Sequence, residues 1–245
     1  MKKILFIACL HGNDLAGHKL FQDYPYGQTD KAEWDVLIGN PYAVMLNTPY
    51  VESDISRAFN VKNPKTHEEK YAQLLKKKFN LYDEVFDIRS TPHIGSSAWD
   101  DTIYIGSTSR DVLDLCQFIE TPHILSEIAQ PSYKETLLAN HPRAVSITYQ
   151  KTYDVYSDYE RILADFERIV HREPVRAQEK KVYERISTVT QEQKRASHLE
   201  FENFHELSSD DKSILGFSNE KQLFAAEVDK NMEAGDSYCS VCRKI

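Results

Sequence analysis

The sequence predicts a mixed α/β fold, a mostly parallel sheet flanked by helices, followed by a small β-rich domain at the C-terminus. Apolar, strand-like runs alternate with segments of helical period as far as His171. A charged stretch from Arg172 to Lys181 then reads as a linker, and no long amphipathic helix follows it. We therefore predict an α/β domain over residues 1–175 and a β-rich domain over residues 176–245.

The first strand and the turn after it form the most informative stretch of the chain. The run Ile4–Leu10 is typical of a buried strand, and a helix begins soon after it, with Asp14 in its first turn. This places His11 and Asp14 at the carboxyl end of a strand, where open α/β sheets usually carry their sites. Histidine and aspartate are also zinc ligands. The alternative is that Asn13 or Asp14 caps the helix and that His11 is an ordinary loop residue.

The second strand and the long segment behind it come next. Trp34–Gly39 follows the first helix at a spacing that indicates a right-handed crossover and a parallel strand pair. The segment Met45–Lys65 has no clear period, and loops of this length are more often functional than idle. Thr66 and Glu69 then form a capping box for a helix that is predicted to run to Phe79.

The later elements continue the alternation. Strands are predicted over Tyr82–Ile88, Thr102–Ile105, His123–Ile128 and Ala144–Tyr149. Helices are predicted over Arg110–Ile119 and after a cap formed by Ser157 and Glu160. Beyond the linker the strand-like pieces are Val182–Val189, His198–Phe204 and Ser213–Phe217.

Charge and hydropathy exclude several classes of protein. The net charge is -8 and the pI is near 5.6, with no long block of Lys and Arg, which argues against nucleic acid as a partner. The N-terminal apolar run is too short for a signal peptide, and no run approaches the roughly 20 apolar residues of a membrane helix. We expect a cytoplasmic protein without a membrane partner, and its 14 tyrosines leave room for self-association.

The chain contains four cysteines: Cys9, Cys116, Cys239 and Cys242. This number does not make a disulfide scaffold in a chain of this length, which agrees with a reducing cytoplasm. Cys239 and Cys242 form a Cys-x-x-Cys pair without a second pair, whereas a structural zinc site needs four ligands. A metal or redox role for this pair is a separate and weaker hypothesis.

Three landmarks together resemble a known family. They are His11-Gly12-Asn13-Asp14, then Asn40-Pro41 through Asp54-Ile55-Ser56-Arg57-Ala58-Phe59, then Asp87-Ile88-Arg89-Ser90-Thr91. In order and spacing they are similar to the aspartoacylase and succinylglutamate desuccinylase family, with its His-Gly-Asn-Glu, Asn-Pro, Asp-Leu-Asn-Arg-x-Phe and Asp-x-His-x-Thr patterns. The resemblance runs on through Pro142–Tyr149 to Phe217-Ser218-Asn219-Glu220. It implies a zinc-carboxypeptidase-like α/β domain, a small β domain, and zinc-dependent hydrolysis of the amide of an N-acyl amino acid.

The resemblance also assigns metal ligands, and one of them is replaced. His11 stands at the first zinc ligand, and Asp14 stands at the glutamate ligand. Arg89 stands where the family has its second ligand histidine. Arginine cannot ligate a metal, because its guanidinium stays protonated and has no free lone pair. The zinc would keep two protein ligands, whereas catalytic zinc normally has three.

Further departures affect substrate binding and proton transfer. Ser56 replaces an asparagine, Pro49 replaces a substrate-binding arginine, and Leu223 replaces a tyrosine. The resemblance places the catalytic glutamate on the strand after Pro142, where this chain has Ser146. Without that glutamate, no residue of the pattern takes the proton from a zinc-bound water.

The first hypothesis is a zinc amidohydrolase that recruits nearby residues. His93 would be the replacement ligand, Glu127 the replacement base, and Arg57 would bind the substrate carboxylate through its planar fork. The alternatives are that His93 and Glu127 are ordinary loop and surface residues, and that Arg57 pairs with Asp54 or Glu52.

The second hypothesis is a pseudoenzyme that keeps the fold and the pocket. Arg89 would pair with Asp14 and supply the positive charge that zinc supplies in the family. This reading predicts a metal-free protein that binds a small anionic ligand or a protein partner. Under both hypotheses a small-molecule ligand would be an anion, because the site carries arginines.

Overall fold

A computed structural model gives the fold, and it describes residues 1–90, 101–130, 132–150, 152, 154–176, 179–190, 204, 206–215, 217, 222–226 and 237–245. The strands are β1 (Lys2–Ala8), β2 (Tyr26–Gln28), β3 (Ala32–Ile38), β4 (Glu84–Ser90), β5 (Thr102–Ile105), β6 (His123–Ser126), β7 (Ala144–Tyr149), β8 (Lys181–Thr190), β9 (Leu223–Ala226) and β10 (Ser237–Lys244). The helices are α1 (Leu15–Asp23), α2 (Pro41–Leu46), α3 (His67–Phe79), α4 (Arg110–Cys116), α5 (Val155–His171) and α6 (Ser209–Ile214).

All ten strands form one sheet in the order β2-β3-β1-β4-β7-β5-β6-β8-β10-β9. The central strands β3, β1, β4 and β7 are parallel, as are β5, β6 and β8. The antiparallel pairs are β2 with β3, β5 with β7, and β10 with β8 and β9. The predicted mixed, mostly parallel α/β fold is therefore confirmed.

The two faces of the sheet are packed by different helices. Phe6 of β1 lies 5.5 Å from Phe86 and 4.9 Å from Phe166 between ring centroids, and these rings pack α5 against one face. On the other face, Phe59 and Phe79 pack at 5.6 Å and hold α3. All five rings are almost fully buried. A sheet with parallel central strands is usually covered by helices on both of its faces, so both sets of alternating side chains are buried. This explains the continuous apolar runs of β1 and β4.

The register of the central strands brings their carboxyl ends to one edge. Ala8 at the end of β1 is paired with Ile38 of β3 and with Ile88 of β4, and Ser90 at the end of β4 is paired with Tyr149 of β7. The residues that follow these strands therefore meet at the same edge of the sheet. The predicted site residues of the first and third landmarks lie there.

Several predicted elements are confirmed. β5 and β7 have the predicted bounds, and Thr66 and Glu69 form the predicted capping box of α3. Asp14 caps α1, as the alternative interpretation of that residue predicted. The helix α2 was not predicted, although Asn40 caps it and Pro41 occupies its first turn, which is a common helix start.

Two predictions were wrong. The long helix α5 is capped by Asp154, and Ser157 lies within its first turn, where its hydroxyl donates to Asp154 at 2.7 Å. The described part of the strand predicted over residues 213–217 is not a strand, since Ser209–Ile214 is a short helix whose capping box joins Ser208 to Asp211. Most of the strand predicted over residues 198–204 lies outside the described residues.

The C-terminal strands continue the main sheet. β8 pairs with β6 in parallel, and β10 lies between β8 and β9. Leu223 is fully buried in a cluster with Val189, Leu207 and Val241, so it is a core residue of this part of the chain. The separate domain over residues 176–245 stays a prediction. None of the helices within the described ranges is long and apolar enough to cross a membrane.

Cys239 and Cys242 do not form a joint site in the described part of the chain. Both side chains are buried on β10 and neither is in a disulfide, and they belong to different clusters of buried residues. A strand directs alternate residues to opposite faces, and the bulge between Val241 and Cys242 does not bring the two thiols into one cluster. The structure therefore does not favour the metal or redox hypothesis for this pair.

Candidate functional site

A cavity of about 450 Å³ opens at the carboxyl edge of the central strands. The landmarks of the sequence and residues from β5 to β8 contribute to it. Its lining residues are His11, Asn13, Pro49, Tyr50, Ser56, Arg57, Arg89, Ser90, Tyr104, Glu127, Ser132, Thr136, Leu138, Ser146, Thr148 and Arg185.

The turn after β1 brings His11 to the cavity. Cys9 has a positive φ of 56°, so the chain leaves the strand direction immediately after Ala8. Gly12 then passes so close to α2 that a Cβ atom there would lie 2.0 Å from the backbone carbon of Ala43. Only glycine fits at this approach, which gives a physical reason for the His-Gly pair at the strand end.

Asp54 holds the ring of His11. The Nε2 atom of His11 lies 3.2 Å from Oδ1 of Asp54, which also accepts hydrogen bonds from the backbone N–H of Ser56 at 2.9 Å and from its hydroxyl at 2.7 Å. Burial opposes ionisation of Asp54, but its hydrogen bonds from His11 and Ser56 outweigh burial and hold its pKa well below the ordinary value. Asp54 is thus a fixed negative charge at neutral pH.

Asp14 caps a helix and also contacts Ser90, a lining residue of the cavity. Its Oδ1 accepts the backbone N–H of Gly17 at 3.0 Å and the hydroxyl of Ser90 at 2.8 Å. The side chain is buried, so the cap also ties α1 to the end of β4. The predicted neighbourhood of His11, Asp14 and the end of β4 is therefore present in the structure.

Arg89 forms an ion pair with Asp87, two residues earlier on β4. Its Nε donates to Oδ2 of Asp87, and the hydroxyl of Ser146 donates to the same oxygen at 2.8 Å. Asp87 is fully buried, so Arg89 compensates a charge that water does not reach. The pairing of Arg89 with Asp14 required by the second hypothesis was wrong, since the partner is Asp87.

Glu127 is a site residue and not an exposed surface residue. It follows β6, lines the cavity, and its Oε1 lies 3.0 Å from Nη2 of Arg185 on β8. The side chains of Arg185 and Glu127 are only 15% and 14% exposed. Sequence reasoning missed Arg185, because nothing in the local pattern shows that β8 lies beside β6.

Three further predicted residues line the cavity, and one of them is largely exposed. Pro49, Ser56 and Arg57 line the cavity, and the carbonyl of Pro49 accepts the N–H of Gly12 at 3.3 Å. Arg57 is 71% exposed, and its Nε lies 3.7 Å from Oδ2 of Asp54. The ion pair offered as the alternative role of Arg57 is thus present, at a distance longer than a direct hydrogen bond.

Glu68 supports the site from beneath and was also missed. This fully buried carboxylate accepts backbone N–H groups from Val51 at 2.7 Å, Glu52 at 3.2 Å and Ser53 at 3.3 Å, and the side-chain amide of Asn40 at 3.4 Å. It therefore fixes the segment that leads into Asp54. The sequence shows it only as one acid in the first turn of α3, a position that usually serves the helix dipole.

The described residues do not complete a zinc site. No group of three His, Cys, Asp or Glu side chains able to hold a metal occurs among them. His11 and Asp14 supply the donor types of two ligands, but the third position carries the guanidinium of Arg89, which repels a cation. His93, the predicted replacement ligand, lies outside the described residues.

Comparisons with known proteins give a family and a fold. Residues 1–149 match the model of the succinylglutamate desuccinylase/aspartoacylase catalytic domain. Murine aminoacylase 3 is 13% identical, with a TM-score of 0.75, over 100% of this chain and 95% of that chain. Succinylglutamate desuccinylase from Chromobacterium violaceum is 12% identical, with a TM-score of 0.70, over 100% of this chain and 85% of that chain.

A more distant match is a D,L-carboxypeptidase, Csd4 from Helicobacter pylori, which is 15% identical, with a TM-score of 0.54, over 70% of this chain and 50% of that chain. At these identities the structures show a shared fold and not a shared activity. No curated protein sequence matches the chain.

Proposed function

The chain belongs to the succinylglutamate desuccinylase/aspartoacylase family, and we propose that its cavity binds a small anion of the N-acyl amino acid class without the help of a metal. The family and the geometry give a desuccinylase- or aspartoacylase-like fold with a cavity at the strand ends. A cytoplasmic location and self-association stay predictions from the sequence.

The observation that carries the proposal is the ion pair between Arg89 and Asp87. The resemblance puts a metal-ligating histidine at the position of Arg89. A permanently charged guanidinium at that point disfavours a dication and favours an anion, because like charges repel strongly where water is largely excluded. The buried Asp87 keeps the guanidinium in place, since a buried carboxylate needs a compensating charge.

Arg57 supports recognition of a carboxylate at the entrance. Its guanidinium is mostly exposed, and its Nε lies 3.7 Å from Oδ2 of Asp54. The two terminal nitrogens of the guanidinium can bind a ligand carboxylate while this ion pair is kept. Pro49 and Tyr50, which follow the capped helix α2, supply an apolar wall beside it. A small molecule with a carboxylate and a short acyl chain fits this combination of charge and apolar surface.

Zinc-dependent hydrolysis is a second candidate, and one specific contact favours it. A metal-ligating histidine commonly donates its other ring N–H to a carboxylate, and the contact of His11 with Asp54 has this form. His11 and Asp14 would hold the ion, which would supply an activated water, and Glu127 would be the base. The described donors number fewer than three, whereas catalytic zinc normally has three protein ligands.

The two candidates are separated by one experiment on the full chain. N-acetyl-L-aspartate and N-succinyl-L-glutamate are titrated into chelator-treated protein by calorimetry, and the same mixtures are followed by proton NMR with and without added zinc. The proposal predicts saturable binding in chelator, and no cleavage in either condition. Cleavage that appears only with zinc, together with no binding in chelator, would replace the proposal by the second candidate.

A further inference from the structure

Helix α2 and the turn after it expose a set of large apolar side chains. On the helix they follow the i, i+3, i+4 spacing of one face, and two more come directly after it. We call this set the α2 face, and its members are Tyr42, Met45, Leu46, Tyr50 and Val51. Their exposed fractions are 54%, 79%, 59%, 49% and 41%, in that order. Met45 is the most exposed large apolar side chain in the described part of the chain.

The opposite side of α2 is apolar as well. Ala43 is fully buried, and Val44 packs against the core of the sheet. A surface helix normally turns its apolar side inward and its polar side to water, whereas a helix that is apolar all round is normally buried all round. The α2 face therefore indicates a surface that another molecule covers.

Hydrogen bonds hold the α2 face in a compact shape. The chain folds back after the helix, since the N–H of Thr48 donates to the carbonyl of Ala43 at 3.0 Å. Oε1 of Glu68 then accepts the N–H of Val51 at 2.7 Å and the side-chain amide of Asn40 at 3.4 Å. A surface that is ordered before association loses less entropy when a partner docks on it.

The α2 face lies in a stretch without charged residues. The 16 residues Val36–Val51 contain no Asp, Glu, Lys, Arg or His, although Asp, Glu, Lys and Arg make up 28% of the whole chain. In a twofold dimer the same face lies on both subunits, so a charge near the axis meets its own copy and is repelled. On a chain of net charge -8, an uncharged face therefore suits a second copy of the chain.

Other occupants match the α2 face less well. Partners of a different kind commonly use complementary charges across the interface, and this face offers none. Helices that lie on a lipid surface carry Lys and Arg beside their apolar side, and the stretch Val36–Val51 has neither. Tyrosine and methionine, which make up three of the five members, are enriched in protein interfaces.

The size of the α2 face also agrees with a second copy. With full areas of about 200 Å² for the larger side chains, the five residues expose on the order of 500 Å². A standard interface buries about 800 Å² per partner, and about 65% of a homodimer interface is apolar, which corresponds to roughly 520 Å². The α2 face can therefore supply the apolar part of a stable dimer interface.

We infer that the α2 face is the interface of a homodimer, in which two copies of the chain pack face to face about a twofold axis. Tyr50 also lines the cavity, so this interface adjoins the candidate site. The inference does not depend on what the cavity binds, and its failure would leave the proposed function standing.

The test is sedimentation velocity on the full chain at concentrations from about 1 to 100 µM, at low and at high salt. The variants are Met45→Glu and Leu46→Glu, which place a negative charge on the α2 face. The control is Leu81→Glu, because Leu81 is 68% exposed but follows α3 and is not a member of the face. Circular dichroism checks that each variant is folded.

We expect the wild type to reach twice the chain mass of 28.4 kDa as the concentration rises. Met45→Glu and Leu46→Glu should raise the dissociation constant of the dimer by about 100-fold or more, because like charges then face each other in the interface. Leu81→Glu should leave the constant within about twofold of the wild type. High salt should not weaken the dimer, since it screens the repulsion between two chains of net charge -8.

A wild type that stays monomeric at every concentration would overturn the inference. So would a dimer that Met45→Glu and Leu46→Glu leave intact, or one that Leu81→Glu weakens as much as they do. A dimer that dissociates at high salt would also overturn it, because it would be held by charges and not by the α2 face. If Met45→Glu does not fold, the result with Leu46→Glu decides.

Discussion

Arg89 and Asp87 form an ion pair on β4, at the position where the family resemblance places a metal-ligating histidine. The pair joins a half-buried guanidinium to a carboxylate that is fully buried. The hydroxyl of Ser146 on β7 completes the environment of Asp87. The cavity thus carries a protein cation, Arg89, where the family resemblance would place a metal ligand.

The stability of the fold should depend on this pair. We expect Arg89→Met to lower the free energy of unfolding by about 3–5 kcal/mol, because Asp87 would be left as a buried charge with only Ser146 as a partner. Urea denaturation measures the loss. The double variant Arg89→Met with Asp87→Asn should recover most of it, and an equal loss in the single and double variants would show that the pair is not the cause.

A histidine at position 89 should allow the site to bind a metal. In Arg89→His the new imidazole can keep a hydrogen bond to Asp87 and offer its other nitrogen beside His11 and Asp14, which gives three donors. We expect Arg89→His to retain near-stoichiometric zinc after dialysis, as measured by atomic emission.

The matched control for this experiment is Arg89→Gln, which removes the positive charge and adds no ligand nitrogen. It should retain little zinc. Equal zinc in Arg89→Gln and Arg89→His would mean that the charge alone decides metal binding, and no zinc in either would mean that His11 and Asp14 do not face the third position.

The ionisation of Asp54 should make stability depend on pH. Its pKa is held below the ordinary value of 3.8, so its contribution is fully present above that value and is lost as the pH falls through the lower, folded-state pKa. We expect wild type to lose more stability than Asp54→Asn between roughly pH 5 and pH 2, as followed by urea denaturation at each pH. Parallel curves for the two proteins would contradict a depressed pKa at Asp54.

Glu68 should control the order of the segment before Asp54. In Glu68→Gln an amide NH₂ replaces one acceptor oxygen and faces backbone N–H groups, so we expect a loss of about 1–3 kcal/mol in the free energy of unfolding. Hydrogen exchange should accelerate at the amides of Val51, Glu52 and Ser53, which donate to this carboxylate.

A matched control lies next to it on the same helix. Glu69→Gln changes the exposed member of the capping box with Thr66, where glutamine is an accepted substitute. It should leave the exchange at Val51, Glu52 and Ser53 unchanged. Similar acceleration in both variants would indicate a general loosening of α3 and not a specific role of Glu68.

The sequence predicted the parts of the fold that depend on local pattern. Periodicity and helix caps act within a few residues. They predict the apolar run of β1, the capping box of α3 and the bounds of β5 and β7. The corner of His11 and Asp14 was also predictable, because strand ends in such folds meet at one edge.

The residues that were missed depend on contacts between distant parts of the chain. The partner of Arg89 is Asp87, which lies two residues earlier on the same face of β4, whereas the second hypothesis predicted Asp14. Arg185 enters the cavity only through the pairing of β8 with β6, and Glu68 becomes a site residue only through a segment 15 to 17 residues earlier in the chain. Local patterns carry no signal for such contacts.

The zinc content of the chain decides whether the cavity binds an anion with Arg89 in place of a metal ligand. It is measured per chain on protein purified without chelator, then incubated with zinc and dialysed. We expect a content near zero, which His11→Ala leaves unchanged. Close to one zinc per chain, lost in His11→Ala, would show instead that the site holds the metal.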